Sequence, residues 1–266
     1  MSGSKYAMSF IWNGVPSENY GLYVANFDTG MINVSSGSDV EIYEQSIYRN
    51  PKPYFYGVSQ RPKLEFDFTI VSENAISALD RNLIEQWLLG NMNYGILQFC
   101  QCDMDDTYYR VILTKSQNIY MGNLNYGLNI HAIADSPWAW RYPMTKTYTY
   151  PGNSITVANI NYINMSADND YTYPIIIFDL NIVGTYFRLT NITDTNRLFE
   201  FTSLFANEIV TVDCNKKTIV SSTGLNRLSN FNNHFFRLLP GLNVLNVLAG
   251  IDYFSITTQD AVKIGG

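Results

Sequence analysis

Histidine, cysteine and charge are all scarce in this chain, and each shortage closes off a class of function. His131 and His234 are the only histidines, which leaves little room for imidazole acid–base chemistry. The three cysteines, Cys100, Cys102 and Cys214, are too few and too odd in number for a disulfide scaffold and fit a reducing compartment. Lys and Arg number 17 against 23 Asp and Glu, for a net charge of −6. The basic residues are scattered, whereas a phosphate-neutralising surface needs them clustered, so a DNA-binding role is not expected. No stretch approaches the roughly 18 apolar residues of a membrane span. The opening MSGSKYAMSF lacks the apolar centre of a signal peptide, so the expectation is a chain made soluble inside a cell. G-x-S-x-G and P-loop motifs, internal repeats and low-complexity tracts are all missing.

What is present favours β-structure. Of 266 residues, 46% are hydrophobic and 15% aromatic, led by 20 Tyr and 15 Phe, so disorder is not expected. Aromatic side chains suit a pleated, half-buried surface. The length allows one large domain or two small ones. Leu64, Phe66, Phe68 and Ile70 alternate with polar residues at the period of a strand. YGILQFCQC and YYRVILTKS flank DMDDT and read as a hairpin with an acidic turn, and NLNYGLNIHAIAD alternates with Tyr126, Leu128 and Ile130 on one face. One segment differs. Ile76, Leu79, Leu83 and Trp87 recur at helical spacing near 73–90, with Ser72 as the expected cap and Gly90 as the expected left-handed stop.

Pro137, Pro143 and Pro151 crowd together after that region, and proline cannot sit in a central strand, so a domain boundary is expected there, dividing 1–142 from 143–266. Short strand signals then resume through YPIIIFDLNIV, TYFRLTNIT, RLFEFTSL, NEIVTVDC, KTIVSS and DYFSITT, the spacing of a β-sandwich. FNNHFFRLLPGLNVLNV, residues 231–247, reads as strand, Pro-Gly turn and strand, with Phe235, Leu238, Leu239, Leu242, Val244, Leu245 and Val247 in its core.

No catalytic, cofactor-binding or metal-binding residue is assigned. His131 shares a strand face with Asn125 and Asn129 opposite the apolar set, which reads as a solvated face, and His234 beside Phe235 reads the same way. Cys100 and Cys102 point to one side of a strand near Asp103, Asp105 and Asp106, yet a zinc site needs a second ligand pair. A calcium loop counted from Asp103 would need Gly and Glu where Tyr108 and Thr114 stand. The three N-x-S/T matches, at Asn33, Asn164 and Asn191, read as chance in an asparagine-rich chain.

The order of these features resembles the distal tail protein (Dit) family of long-tailed bacteriophages. FIWNGVPSENYGLYV carries Phe10, Asn13, Gly14, Ser17, Tyr20, Gly21 and Leu22 in that family's opening pattern. The helix ending IEQWLLG and the hairpin after it follow, and DSPWAW, Asp135 to Trp140, resembles the family's domain junction. NEIVTVDCNKKTI and FFRLLPGLNVLNV match two further strands through Asp213, Leu239, Pro240, Gly241 and Asn243. The resemblance implies a mostly β protein: a tail-tube-like β-sandwich or barrel with one α-helix, then a galectin-like β-sandwich, with residues after about Tyr253 able to return to the first domain. It implies a non-enzymatic virion protein without cofactor, assembled in the host cytoplasm into a homohexameric ring at the tail tip. Such a ring joins the tail-tube protein to the tip protein or tail-associated lysin, docks receptor-binding or baseplate proteins, and passes DNA through its channel without specific binding or membrane insertion. The alternative is a lectin-like module that binds carbohydrate or cell wall. It would need an aromatic platform from Tyr162, Tyr171, Tyr173 or Tyr186, because the second domain has no tryptophan and only His234. A tail-associated hydrolase, the third reading, would need clustered carboxylates or a metal.

Overall fold

A computed structural model describes residues 9–25, 41–59, 63–100, 106–150, 152, 154–168 and 170–263. The chain divides into two compact units, Met1–Trp140 with Val262–Gly266, and Arg141–Ala261. It is mostly β, with one α-helix among the described residues, and no helix there is long and apolar enough to cross a membrane.

The first unit contains β1 (Phe10–Trp12), β2 (Val15–Pro16), β3 (Leu22–Val24), β4 (Glu41–Gln45), β5 (Tyr54–Ser59), β6 (Glu65–Ser72), α1 (Ala78–Leu89), β7 (Gly95–Phe99), β8 (Thr107–Met121), β9 (Leu124–Ala134) and β10 (Ala139–Arg141, its last residue counted with the second unit). Its main sheet runs β2-β1-β7-β8-β9-β6-β3, with each neighbouring pair antiparallel. β2 and β3 end the path without meeting, so the sheet is open and no barrel closes. The Phe10 and Phe68 ring centroids are nevertheless 5.9 Å apart. Their strands stand four places apart in the sheet, which at about 4.8 Å per place would separate them by roughly 19 Å if it were flat. The sheet therefore curls back on itself, and Phe10, Trp12, Leu22, Ile70, Leu97 and Leu128 share one core.

α1 closes that core differently from its sequence pattern. Its cap is Ser77, whose Oγ accepts from the Asp80 N–H at 3.1 Å, while Ser72 ends β6 and accepts from Asn74. Ile84 and Leu88 are the buried residues, whereas Leu79 and Leu83 face outward at 70% and 49% exposure. Gly90 is right-handed (φ −68°), not left-handed. It is glycine because a Cβ there would stand 2.3 Å from the Gln86 carbonyl.

The second unit holds β11 (Met144–Thr149), β12 (Thr156–Asn164), β13 (Ile175–Leu180), β14 (Phe187–Asn191), β15 (Arg197–Phe201), β16 (Ile209–Asp213), β17 (Thr218–Ser221), β18 (Gly241–Ala249) and β19 (Ile251–Thr258). A short β20 (Ala261–Val262) then pairs with β10. Two sheets, β11-β19-β13-β16-β17 and β12-β18-β14-β15, enclose one core, with Phe178 stacked on Phe187 across it at 4.1 Å. Residues 231–240 are not a regular strand: they make only isolated bridges, Phe201 to Phe231 and Thr172 to Leu238. Phe236 is fully buried where Phe235 was expected, and Leu242 is 52% exposed because the alternation of β18 sends it outward.

Candidate assembly surfaces

The opening motif is a set of local anchors. Asn13 and Gly14 have positive φ (49° and 80°), the conformation of a tight hairpin turn, and Asn13 Oδ1 accepts from the Ile96 N–H at 2.9 Å. Ser17 is fully buried, its Oγ taking the Phe10 N–H at 3.1 Å. Gly21 takes the left-handed position after the turn, and Tyr20 stacks on Trp87 at 4.4 Å. Asp135, at the start of DSPWAW, pairs with Arg110 at 3.3 Å.

The Pro-Gly motif of the second unit has a comparable logic. Asn243 is completely buried, and its amide staples the turn: Oδ1 accepts from the Leu239 N–H at 2.9 Å, and Nδ2 donates to the Leu239 and Gly241 carbonyls at 2.8 and 3.0 Å. Asn191 Nδ2 donates to the same Oδ1 at 2.9 Å. Two ion pairs brace neighbouring loops. Arg237 holds Asp194 through two bonds of 2.7 and 3.0 Å, which push the guanidinium pKa up, and lies 3.7 Å over the Tyr171 ring. Glu208 and Arg227 are both buried and joined by two bonds of 2.7 Å. Burial works to raise the Glu208 carboxyl, but the bonds from Arg227, Ser221 and the Phe205 N–H outweigh it and hold the pKa below its ordinary value.

The two histidines belong to different units. His131 Nδ1 lies 2.8 Å from Asp67 Oδ1 in a recess of about 240 Å3 lined by Lys115, Gln117 and Asn129, with no thiol or hydroxyl nucleophile among the lining residues. Asn125, expected on that wet face, is buried instead and bonds Asn118 and the Gly127 N–H. His234 is exposed in the other unit. Cys100 is exposed, and burial pushes the Cys214 thiol up to about 12. Cys102, Asp103 and Asp105 lie outside the described residues, among which no cluster could hold a metal. Of the tyrosines that a sugar platform would use, Tyr162 is buried, Tyr171 and Tyr186 each lie under a guanidinium, and Tyr173 is 42% exposed.

The β4–β5 hairpin exposes a group of large apolar side chains. Among the described residues, these strands pair only with each other. Ile42, Tyr43, Tyr48, Tyr54, Phe55 and Tyr56 are all exposed, from 49% to 86%, so neither face of the ribbon lies on a core formed by the described residues. Sequence reading missed this arm, although EIYEQ and YFYGVS both carry its signal: large apolar residues on both faces of short strands.

A family model described as phage tail protein N-terminal domain matches residues 5–136, and one described as phage tail C-terminal domain matches residues 138–256. Among solved structures, the chain is similar to the Dit protein (gp 19.1) of phage SPP1, described as a paradigm of the hub adsorption apparatus in phages that infect Gram-positive bacteria. The TM-score is 0.71 at 14% identity, over 96% of this chain and 99% of that one. A chain of the phage P2 baseplate in its activated, Ca-containing conformation aligns at TM-score 0.49 and 11% identity, over 96% and 98%. No curated protein sequence matches.

Proposed function

Because the chain belongs to the phage tail protein family spanned by those two domain models, we propose that it is a structural hub of the tail tip, six copies of which form a ring. The observation that carries this reading is the β4–β5 arm. A lone two-stranded hairpin is marginal in water, and one that exposes aromatic residues on both faces is an association hazard unless another chain covers it. An arm that grips a different surface on its neighbour makes a heterologous contact, and heterologous contacts related by rotation close into rings. In this reading the first unit builds the ring between tube and tip and lines a channel for DNA. The net charge of −6 suits such a wall, since it does not attract a polyanion. The second unit faces the receptor-binding, baseplate or lysin proteins. The protein works in the virion after assembly in the host cytoplasm, and its role is not enzymatic. A sugar-binding role is less well supported, because most tyrosines it would use are buried or capped by arginine.

The test is light scattering and electron microscopy of the purified chain, alone and with the neighbouring tail proteins. Six copies of a 30.3 kDa chain give a ring of about 180 kDa. The double variant Tyr48→Lys/Phe55→Lys should keep its β circular dichroism and lose the ring. A wild-type chain that never forms rings, or an arm variant that forms them normally, overturns the reading.

A further inference from the structure

We propose that the free edge of β12 is a second self-association site, at which two copies pair antiparallel about a two-fold axis through Ile160. The inference does not rest on the ring. It begins from how the sandwich protects its other edges. Unpaired strand edges invite pairing, and proteins blunt them with charge, shortness or a covering segment. β11 carries Lys146, β17 has four residues and follows Lys216 and Lys217, and β15 is covered by residues 230–232, where the Asn232 N–H bonds the Glu200 carbonyl at 3.0 Å. Among the described residues no segment pairs with the outer edge of β12, and the strand itself carries no charge. It is nine residues long, pairs along its whole length with β18 alone, and lies inside a stretch, 147–167, without a single charged residue.

The occupant follows from the strand's own pattern. Exposed side chains alternate as Val157, Asn159, Asn161 and Ile163, flanked by Ile155 and Met165. Reversed about Ile160, that series maps onto itself: Val157 meets Ile163 of the second copy, Asn159 meets Asn161, and Ile155 meets Met165. On the core side, bulky Tyr162 meets the small Ala158. Apolar thus faces apolar and amide faces amide in the antiparallel register that a two-fold contact requires. Val157, Ile163 and Met165 are 71%, 56% and 65% exposed, and Ile160 is only partly buried, so pairing removes apolar surface that the single chain leaves wet.

The experiment uses the full chain carrying Cys100→Ser and Cys102→Ser. Directly opposed residues of an antiparallel pair have Cα atoms about 4.5–5.5 Å apart, within disulfide reach. Under mild oxidation Ile160→Cys should cross-link two copies, and Val157→Cys, which faces Ile163 rather than itself, should not. By sedimentation, Asn159→Lys/Asn161→Lys puts lysine opposite lysine twice and should weaken pairing about tenfold. An equimolar mixture with Asn159→Asp/Asn161→Asp should restore it. No concentration-dependent doubling of wild type, equal cross-linking of the two cysteine variants, or a mixture that stays unpaired would overturn the proposal. Strand pairing seen only with another tail protein would overturn the second copy as occupant.

Discussion

Replacing Asn243 with alanine tests whether the Pro-Gly turn of the second unit is held by that one buried amide. The substitution strips the Leu239 N–H and one donor of Asn191 of their acceptor, and removes donors to the Leu239 and Gly241 carbonyls. A buried polar group left without a partner costs about 1–3 kcal/mol. Two orphaned donors therefore cost about 2–6 kcal/mol, a large share of the roughly 5–15 kcal/mol that holds an ordinary domain together. Tryptophan fluorescence will not report the loss, because all four tryptophans, Trp12, Trp87, Trp138 and Trp140, lie in the first unit. Cys214 will, because it is 1% exposed in the core of the second unit and its thiol is pushed up to about 12, so it should react with a thiol reagent only on unfolding. In a urea series with Cys100 and Cys102 replaced by serine, Asn243→Ala should move the Cys214 transition to lower urea and leave the tryptophan transition in place. Asn246→Ala, on the outward side of the same strand, should cost no more than about 0.5 kcal/mol. Equal effects of the two substitutions would refute the staple.

Glu208→Gln breaks a buried ion pair and should cost the second unit about 3–5 kcal/mol. Since the folded carboxyl is held below its unfolded value, the pair's contribution is present above the ordinary carboxylate range and lost as pH falls through it, so the variant's near-ultraviolet dichroism should show a flatter acid limb than wild type. Asp179 is shifted the other way, by burial first and then by Asp252. It therefore costs stability at neutral pH and not in acid, and Asp252→Asn should raise the urea midpoint at pH 7 by an amount that vanishes on acidification. Gly127→Ala would place a Cβ 2.3 Å from the Ile70 carbonyl, between β6 and β9, and should lower the tryptophan transition of the first unit by about 1–3 kcal/mol.

Much of the fold is legible because it depends on local chemistry. The alternation in β6 and β9 survives as burial of Phe68, Ile70, Leu128 and Ile130, and strand signals along the second half became strands of the sandwich. The errors come from tertiary context. Leu79 and Leu83 keep helical spacing with Ile76 and Trp87, but the sheet beneath α1 takes the adjacent face through Ile84 and Leu88. Apolar periodicity identifies a stripe; it does not say which stripe the rest of the chain covers. The same limit hid the candidate surfaces. Sequence reading assigned no role to Ile42, Phe55, Val157 or Ile163, and their exposure emerges only from the path of the described chain.

The two proposed contacts have different symmetries, which supplies an internal check on both. As proposed above, the arm contact would be heterologous and close by rotation, whereas the β12 contact would be isologous and close at two. With both contacts engaged, rings of about 180 kDa would be joined to one another through their β12 edges, so particles larger than one ring are expected. With the arm variant Tyr48→Lys/Phe55→Lys, assembly should stop at a pair of about 60 kDa; with Asn159→Lys/Asn161→Lys it should stop at a ring of about 180 kDa. Combining the four substitutions should give the 30.3 kDa monomer. Distant, independent sites add, so each variant should remove its own step and leave the other unchanged. A strand variant that loses its rings, or an arm variant that loses its pairs, would mean that one surface serves both contacts, and the division of labour between the arm and the edge strand would fall.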